Sequence, residues 1–263
     1  MATSVRIAVV GDVHNYWNLE EDAKALQLLQ PDLVLFTGDF GEENVELVQS
    51  VASLRVAKAV ILGNHDAWYT RQFSEKYGVQ DIGGSAKRIH GAALRAPEDH
   101  SVILLAHNGP TGLGSNVDDI CGKDWVFGGG DHGDPDLAQA LSLLKETSKV
   151  SVPLVVFGHM HKELAHGKGI RKMIVVGTDN TIYLNGAVVP RVKSLVDEQK
   201  PSINSLTNNE PHLQTPASRG TIRAFTLVEM SGGIVDKIAE SWVSVVGDKA
   251  ALQEEHILYK RSN

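Results

Sequence analysis

Five short polar motifs between residues 11 and 161 carry side chains that bind metals and transfer protons. Each motif follows a predominantly apolar run that has the pattern of a buried strand. The motifs are Gly11-Asp12-Val13-His14, Gly38-Asp39, Gly63-Asn64-His65-Asp66, His107-Asn108-Gly109 and Gly158-His159-Met160-His161. Carboxylate, imidazole and amide oxygen together suit Mn, Fe, Zn or a mixed pair of metals, rather than Ca or Mg alone.

Each motif alone also has an ordinary structural explanation. An Asp-x-His after a strand is usually a turn or a cap, and Gly-Asp is nearly always a turn. Gly-His-x-His also fits a single-metal site or surface histidines. The combination is more specific, because all five motifs lie where a predicted strand ends.

The elements that must position these motifs alternate between strand and helix. Strands are predicted at 5–10, 32–38, 57–63, 100–107 and 152–159, and helices at 18–30, 44–54 and 134–146. This order indicates a parallel sheet with right-handed crossovers. Since sites in parallel sheets form beyond the carboxyl ends of the strands, we expect the motifs to converge there. After residue 172, two hairpin patterns predict antiparallel strands that complete a second sheet.

The convergence brings together more candidate ligands than one tetrahedral metal site needs. They are Asp12, His14, Asp39, Asn64, His107, His159 and His161. Such a set suits two metals about 3.5–4 Å apart that share a carboxylate, lower the pKa of a bridging water and clamp a phosphoryl group. His65 follows a ligand directly, so we expect it to protonate the leaving-group oxygen, with Asp66 orienting its imidazole.

Three residues after the first and third motifs are predicted to rim the pocket: Asn15, Trp17 and Trp68. An aromatic side chain there would stack on a base or line an apolar leaving-group pocket. Packing within the loop is the competing explanation for each tryptophan. The six histidines outside the motifs are interpreted as surface or loop residues, including His132 in a Gly-rich loop.

Composition limits the class of protein and its partners. The 263 residues, 42% of them hydrophobic, suffice for one α/β domain. The formal net charge of −7 disfavours nucleic-acid binding, which relies on Lys/Arg patches. The single cysteine, Cys121, indicates a reducing compartment. No run approaches the ~18 apolar residues of a membrane span, and the N-terminus lacks a signal-peptide pattern. We therefore expect a cytoplasmic protein with no membrane partner. Separately, the polar, Pro/Asn/Ser-rich composition of residues 193–219 predicts a flexible loop.

Together the five motifs resemble those of the calcineurin-like metallophosphoesterase superfamily. The resemblance implies one α/β domain over residues 1–263, built as a two-sheet β-sandwich flanked by helices with a dinuclear centre at one end. It implies that Asp39 bridges two metals and that His65 is the general acid, with Asp66 behind it. The implied ligands are Asp12, His14, Asp39 and His161 for one metal, and Asp39, Asn64, His107 and His159 for the other.

Other stretches refine the resemblance. "AVVGDVH" and "ILGNHDAW" are similar to a plant and cyanobacterial branch, which implies the plastid stroma if the source is a plant. Protein Ser/Thr phosphatases of the superfamily carry an arginine shortly after Gly-Asp, whereas here Asp39 is followed by Phe40-Gly41-Glu42-Glu43. The sequence therefore disfavours protein phosphatase activity.

From these observations we predict a dinuclear metal-dependent hydrolase of a small phosphomonoester or phosphodiester. A metal-bridging hydroxide would attack phosphorus in line, and His65 would protonate the leaving oxygen. Two alternatives belong to other classes: a metal-binding scaffold of the same fold without turnover, and a nuclease, which the net charge disfavours.

Overall fold

Two β-sheets pack face to face in a computed structural model of the chain, which describes residues 4–67, 81–167, 169–195 and 220–262. The strands are β1 (Ser4–Val10), β2 (Leu33–Phe36), β3 (Lys58–Val60), β4 (Ser101–Leu105), β5 (Ser151–Phe157), β6 (Ile174–Val176), β7 (Ile182–Asn185), β8 (Val192–Ser194), β9 (Thr221–Ser231), β10 (Ile234–Val246) and β11 (Lys249–Lys260). The α-helices are α1 (Leu19–Leu29), α2 (Val45–Ala52), α3 (Ile82–Ala93) and α4 (Pro135–Thr147). One turn of 3-10 helix spans Ala165–Gly167.

The parallel strands that carry the motifs are divided between the two sheets. The first sheet has the order β11-β10-β9-β1-β2-β3, with β8 paired to β9, and the second has the order β4-β5-β7-β6. Strands β1, β2 and β3 are parallel to one another, as are β4, β5 and β7. The two-sheet sandwich implied by the resemblance is therefore confirmed.

The two predicted hairpins join different sheets, which corrects the expectation that both complete the second one. Strands β6 and β7 extend the second sheet. Strands β9 and β10 instead extend the first sheet, where β9 pairs antiparallel with β1 and sets Ile7 opposite Val228. A hairpin pattern specifies pairing within the hairpin but not the sheet edge against which it docks, so local sequence leaves this choice open.

Alternation along β1 explains how the first sheet is covered on both faces. Ala8 and Val10 lie in a core cluster with residues of α1 and α2, whereas Ile7 and Val9 lie in the cluster between the two sheets. Successive strand side chains point to opposite faces, so one apolar strand serves both cores. A third cluster joins α4 to the second sheet. With the two sheets packed in this way, the carboxyl ends of β1, β2 and β5 meet at one end of the sandwich.

Capping residues mark the starts of the predicted helices. The Asn18 side chain accepts a hydrogen bond from the backbone N–H of Glu21, and the Asp134 side chain caps α4 in the same way. Helix α3 was not predicted, because its sequence "IGGSAKRIHGAA" contains three glycines, which disfavour helix. Asp81 caps α3, and the helix packs against α4.

The prediction of a loop at 193–219 is wrong for its first two residues, since Lys193 and Ser194 belong to β8. Residues 196–219 lie outside the described part of the chain, as does Trp68. Among the described helices, none is long and apolar enough to cross a membrane.

Candidate metal centre

Side chains from the five strand ends meet in one polar cluster. Their ligand atoms form three groups, each with all atoms within 4.8 Å of one another: Asp12, His14 and His161; His14, Asp39 and His65; Asp39, His107 and His159. The Asp39 carboxylate lies between the outer groups, with Oδ2 at 4.0 Å from Nε2 of His14 and 3.6 Å from Nε2 of His107. This position allows one carboxylate to serve two metal ions.

Asn64 completes the group around His107 and His159. Its side-chain oxygen lies 2.8 Å from Nε2 of His107 and 2.9 Å from Nδ1 of His159. The two imidazole nitrogens are themselves 3.2 Å apart. Two imidazoles and an amide oxygen therefore converge on one point beside Asp39, which is the set predicted for the second metal.

The chain leaves the strands in sharp turns that aim these side chains at one another. Asp12, His14, Asp39 and His159 all have positive φ values, of 42°, 42°, 50° and 67°. Non-glycine residues adopt this region infrequently, and such strain concentrates at functional sites. Backbone N–H groups support the turns: that of His65 donates to Oδ1 of Asp39 at 2.9 Å, and that of His159 donates to Oδ1 of Asp12 at 3.0 Å.

One carboxylate oxygen of the cluster has no hydrogen-bond partner. Oδ2 of Asp12 is buried without a hydrogen-bond partner and lies 3.5 Å from Nε2 of His161. The Nε2 atoms of His14 and His161 face each other at 3.0 Å. An unpartnered buried carboxylate oxygen costs free energy, and a divalent cation among these atoms would remove that cost. The nitrogen and oxygen donor set also suits the predicted metals.

Burial and neighbouring charge shift the pKa values of the ligands. Burial lowers the pKa of His159 to about 4, with a further contribution from His107, so its imidazole stays neutral and keeps a lone pair for a metal. Burial raises the pKa of Asp39 above its usual value. Burial also acts to raise the pKa of Asp12, but contact with His161 and the charge of His107 outweigh it and leave that pKa lowered.

The general-acid candidate, His65, is held by a residue that sequence reasoning missed. Nδ1 of His65 lies 2.6 Å from Oε1 of Glu42. Burial acts to lower the pKa of His65, but the hydrogen bond to Glu42 and the charge of Asp39 raise it overall. Glu42 lies in the loop after β2. The one sequence signal for a role at the site was its position shortly after the Gly38-Asp39 motif.

Asp66 takes a different position from the one expected. We expected its carboxylate to orient the His65 imidazole. Instead, its oxygens accept hydrogen bonds from the backbone N–H groups of Phe40 at 2.8 Å and Gly63 at 2.9 Å. Asp66 is buried, at 8% exposure. Its carboxylate therefore joins the loops after β2 and β3, and Glu42 contacts the imidazole.

Of the three predicted rim residues, the two that the structure describes, Asn15 and Trp17, are not among those that line the cavity beside the cluster. Trp17 packs edge-to-face on Phe36 with ring centroids 5.5 Å apart, and its indole N–H donates to Ser50 at 3.1 Å, so it belongs to the core beside α2. The Trp17 ring packs against the core cluster that contains residues of α1 and α2. The local sequence does not show whether a tryptophan at this position packs in the core or faces the cavity. The Asn15 side chain accepts a hydrogen bond from Asn44 at 2.8 Å in a neighbouring loop. Trp68 lies outside the described residues.

A cavity of about 430 Å³ opens on the cluster and is lined partly by the loop between β4 and α4, which we call the β4–α4 loop (residues 106–134). It brings Trp125 and His132 beside Asn64, His65 and His159. The His132 ring stacks on His159 with centroids 5.4 Å apart and planes 25° apart. The Gly-rich sequence around His132 predicts an ordinary loop residue. Its approach to His159 depends on how the long loop folds back, which the sequence does not give. A larger cleft, of about 820 Å³ beside α4, contains none of the ligands.

The chain was compared with family profiles, curated proteins and solved structures. The sequence profile of the calcineurin-like phosphoesterase family matches residues 5–163. No curated protein matches the chain. Two similar solved structures are a predicted phosphoesterase from Streptococcus pneumoniae TIGR4 (13% identity, 97% of this chain and 98% of that chain covered, TM-score 0.39) and a dimetal phosphatase from Danio rerio (10% identity, 98% and 99% covered, TM-score 0.44).

The family match spans more than half of the chain and includes every motif on which the resemblance was based. The resemblance is therefore confirmed: the chain belongs to the calcineurin-like phosphoesterase family and is a metal-dependent phosphoesterase.

Proposed function

We propose that the protein hydrolyses a small phosphomonoester or phosphodiester at a centre for two metal ions, with His65 as the general acid. The observation that carries the proposal is the Asp39 carboxylate, which faces ligand groups on both sides. Asp12, His14, Asp39 and His161 would hold one ion, and Asp39, Asn64, His107 and His159 the other. Bound there, Mn, Fe or Zn would supply an activated water and neutralise charge on the phosphoryl oxygens.

His65 has the surroundings that proton donation requires. The Glu42 carboxylate accepts a hydrogen bond from Nδ1 of His65, so in the imidazolium form the second proton, on Nε2, is the one that passes to the leaving oxygen. The raised pKa keeps a larger fraction of the imidazole protonated near neutral pH. The oxygen of water bonds to phosphorus, the bond from phosphorus to the alcohol oxygen breaks, and that oxygen receives the proton.

The arginine in the cavity wall is engaged by the protein itself. The Arg171 guanidinium donates to the backbone carbonyls of His161 at 2.9 Å and Gly122 at 2.7 Å, and it pairs with Asp124 at 3.1 Å. It is therefore not available to clamp a phosphate. Together with the absence of an arginine after Gly38-Asp39, this supports a small substrate over a phosphoprotein.

The proposal is tested with an aryl phosphate and a bis-aryl phosphodiester, each assayed with Mn, Fe, Zn and Mg in parallel. We expect hydrolysis of at least one ester and about two metal ions per chain by elemental analysis. Two bound ions without turnover on a broad set of phosphoesters would instead establish the scaffold alternative.

The role of His65 is tested by His65→Ala. We expect a loss of about 10²- to 10⁴-fold on an alkyl ester, whose leaving oxygen needs a proton. The loss should be smaller on a nitrophenyl ester, whose leaving group needs less protonation. The control is His256→Ala, since His256 is exposed and pairs with Glu254 on β11. An unchanged rate for His65→Ala on the alkyl ester contradicts the assignment.

A further inference from the structure

We propose that Trp125 determines the specificity of this site, and that the alcohol part of the substrate carries a flat aromatic or heteroaromatic ring that stacks on the indole. The inference rests on the proposed phosphoester hydrolysis and specifies its substrate class. Trp125 lines the same cavity as Asn64 and His65, where the phosphoryl group and leaving oxygen would lie. Yet 54% of its surface is exposed, so the ring has area available for a ligand.

A series of three rings fixes Trp125 relative to the metal ligands. The Trp125 ring meets His132 edge-to-face, with centroids 5.0 Å apart and planes at 90°. His132 in turn stacks on the ligand His159. The backbone of His132 is held at both ends, since its N–H donates to the Cys121 carbonyl at 2.8 Å and its carbonyl accepts from Asn108 at 2.7 Å.

Hydrogen bonds also fix the turn that carries Trp125. The preceding residue, Asp124, pairs with the buried Arg171 and accepts the backbone N–H of Ala165 at 2.7 Å. Within the loop, the N–H of Lys123 donates to the carbonyl of Gly130 at 2.8 Å. A ring that is ordered before binding costs less conformational entropy when it contacts a ligand, and so contributes more to affinity.

Charge around Trp125 favours an uncharged ring over a second phosphate. Among the described residues that line the cavity, Arg171 is the one lysine or arginine, and its hydrogen bonds are already made to the protein. Two acidic residues also line the cavity: Asp124, which pairs with Arg171, and Glu163. The face of an indole is itself electron-rich, so it attracts a flat ring and disfavours an anion.

The neighbouring Phe127 supplies a matched control. It is two residues from Trp125, is 106% exposed, and is not among the residues that line the cavity. A general effect of removing an aromatic side chain from this turn would appear equally in Phe127→Ala, whereas an effect of stacking in the cavity would not.

The first measurement is equilibrium binding by calorimetry to the Mn-loaded protein, with benzylphosphonate and cyclohexylmethylphosphonate as probes. Their carbon–phosphorus bond is not hydrolysed, so the measurement does not depend on turnover. We expect benzylphosphonate to bind the wild type about 5- to 10-fold more tightly. Trp125→Ala should abolish that preference, Trp125→Phe should keep most of it, and Phe127→Ala should leave it unchanged.

The second measurement compares kcat/KM for benzyl and cyclohexylmethyl phosphate, whose alcohols have similar basicity. The same loss of preference in Trp125→Ala is expected. The inference is overturned if the wild type binds both phosphonates with equal affinity. It is also overturned if Trp125→Ala keeps its thermal stability but loses the same affinity for both phosphonates. Ring-selective binding without hydrolysis of any ester would uphold the role of Trp125 while refuting the proposed hydrolysis, so the two failures are distinct.

Discussion

Nδ1 of His65 lies 2.6 Å from Oε1 of Glu42, which joins the loop after β3 to the loop after β2. The carboxylate thus contacts Nδ1 of the imidazole, and Nε2 is the nitrogen that we propose donates to the leaving oxygen. The adjacent Asp66, whose sequence position suggested that role, is engaged by backbone N–H groups instead.

Glu42→Gln is expected to narrow the pH range of activity. Glu42 raises the pKa of His65, so its removal lowers that pKa and moves the alkaline limb of kcat/KM to lower pH. Below this limb His65 stays protonated in both proteins, so their rates should approach each other. The loss at alkaline pH should be smaller than the roughly 10²- to 10⁴-fold expected on removing the acid itself. A pH–rate profile checks this, with the exposed Glu46→Gln as control; an unmoved limb in Glu42→Gln counts against the pairing.

Gly158→Ala is expected to weaken metal binding. A Cβ at this position would overlap Oδ1 of Asp12 and Oγ1 of Thr37, so the Asp12 carboxylate must shift. Displacing groups that orient a ligand typically costs 10- to 100-fold in metal affinity. Gly91→Ala is the matched control, because a Cβ at this position meets nothing within 4 Å. Gly91 also lies within α3, where alanine favours the helix. Competition with a fluorescent chelator measures both variants, and equal affinities would refute this account of Gly158.

Metal ions are expected to stabilise the fold through Asp39. When free metal is present at 100 times a site's dissociation constant, binding there adds about 2.7 kcal/mol to the free energy of unfolding. This raises the unfolding midpoint by roughly 5–10 °C in a domain of this size. Asp39→Asn should bind fewer ions and show a smaller rise, because Asp39 faces both ligand groups. Thermal scans with and without EDTA measure this. Asp248→Asn, at a residue with a 98% exposed side chain, should behave as wild type.

Lys162→Met is expected to destabilise the protein by about 3 kcal/mol. Nζ of Lys162 lies 2.7 Å from both carboxylate oxygens of Glu240, which is 1% exposed. Removing the lysine leaves a buried carboxylate without its counter-charge. The double variant Lys162→Met/Glu240→Gln should recover most of the loss, because it removes the charge as well. Urea unfolding provides the free energies, and a double variant no more stable than Lys162→Met would contradict this explanation.

Cys121 is expected to resist alkylation in the folded protein. Burial raises the pKa of its thiol to about 12, so almost no thiolate is present at pH 8. It is the one cysteine in the chain, so the modification is simple to count by mass spectrometry. Iodoacetamide should label the protein quickly in urea and very slowly without it. Rapid labelling of the native protein would show that the thiol is accessible.

Local patterning was sufficient to place the strand ends and the side chains that follow them. Apolar runs that end in Gly11, Gly63 and Gly158 predict strands that stop abruptly, and polar residues directly after them must lie at one edge of a sheet. Asp12 and Asp39 meet for that reason, since β1 and β2 are parallel neighbours in the first sheet. His159 follows β5 in the second sheet, so it reaches them through the packing of one sheet on the other, which the order of strands alone does not give.

Contacts between distant segments required the tertiary structure. The approach of His132 to His159 depends on the path of the β4–α4 loop, and the pairing of Glu42 with His65 depends on how two loops pack. Among the described tryptophans, Trp17 packs against the core, whereas Trp125 lines the cavity. Packing of the whole chain selects among such arrangements, because short-range sequence constrains only neighbouring residues.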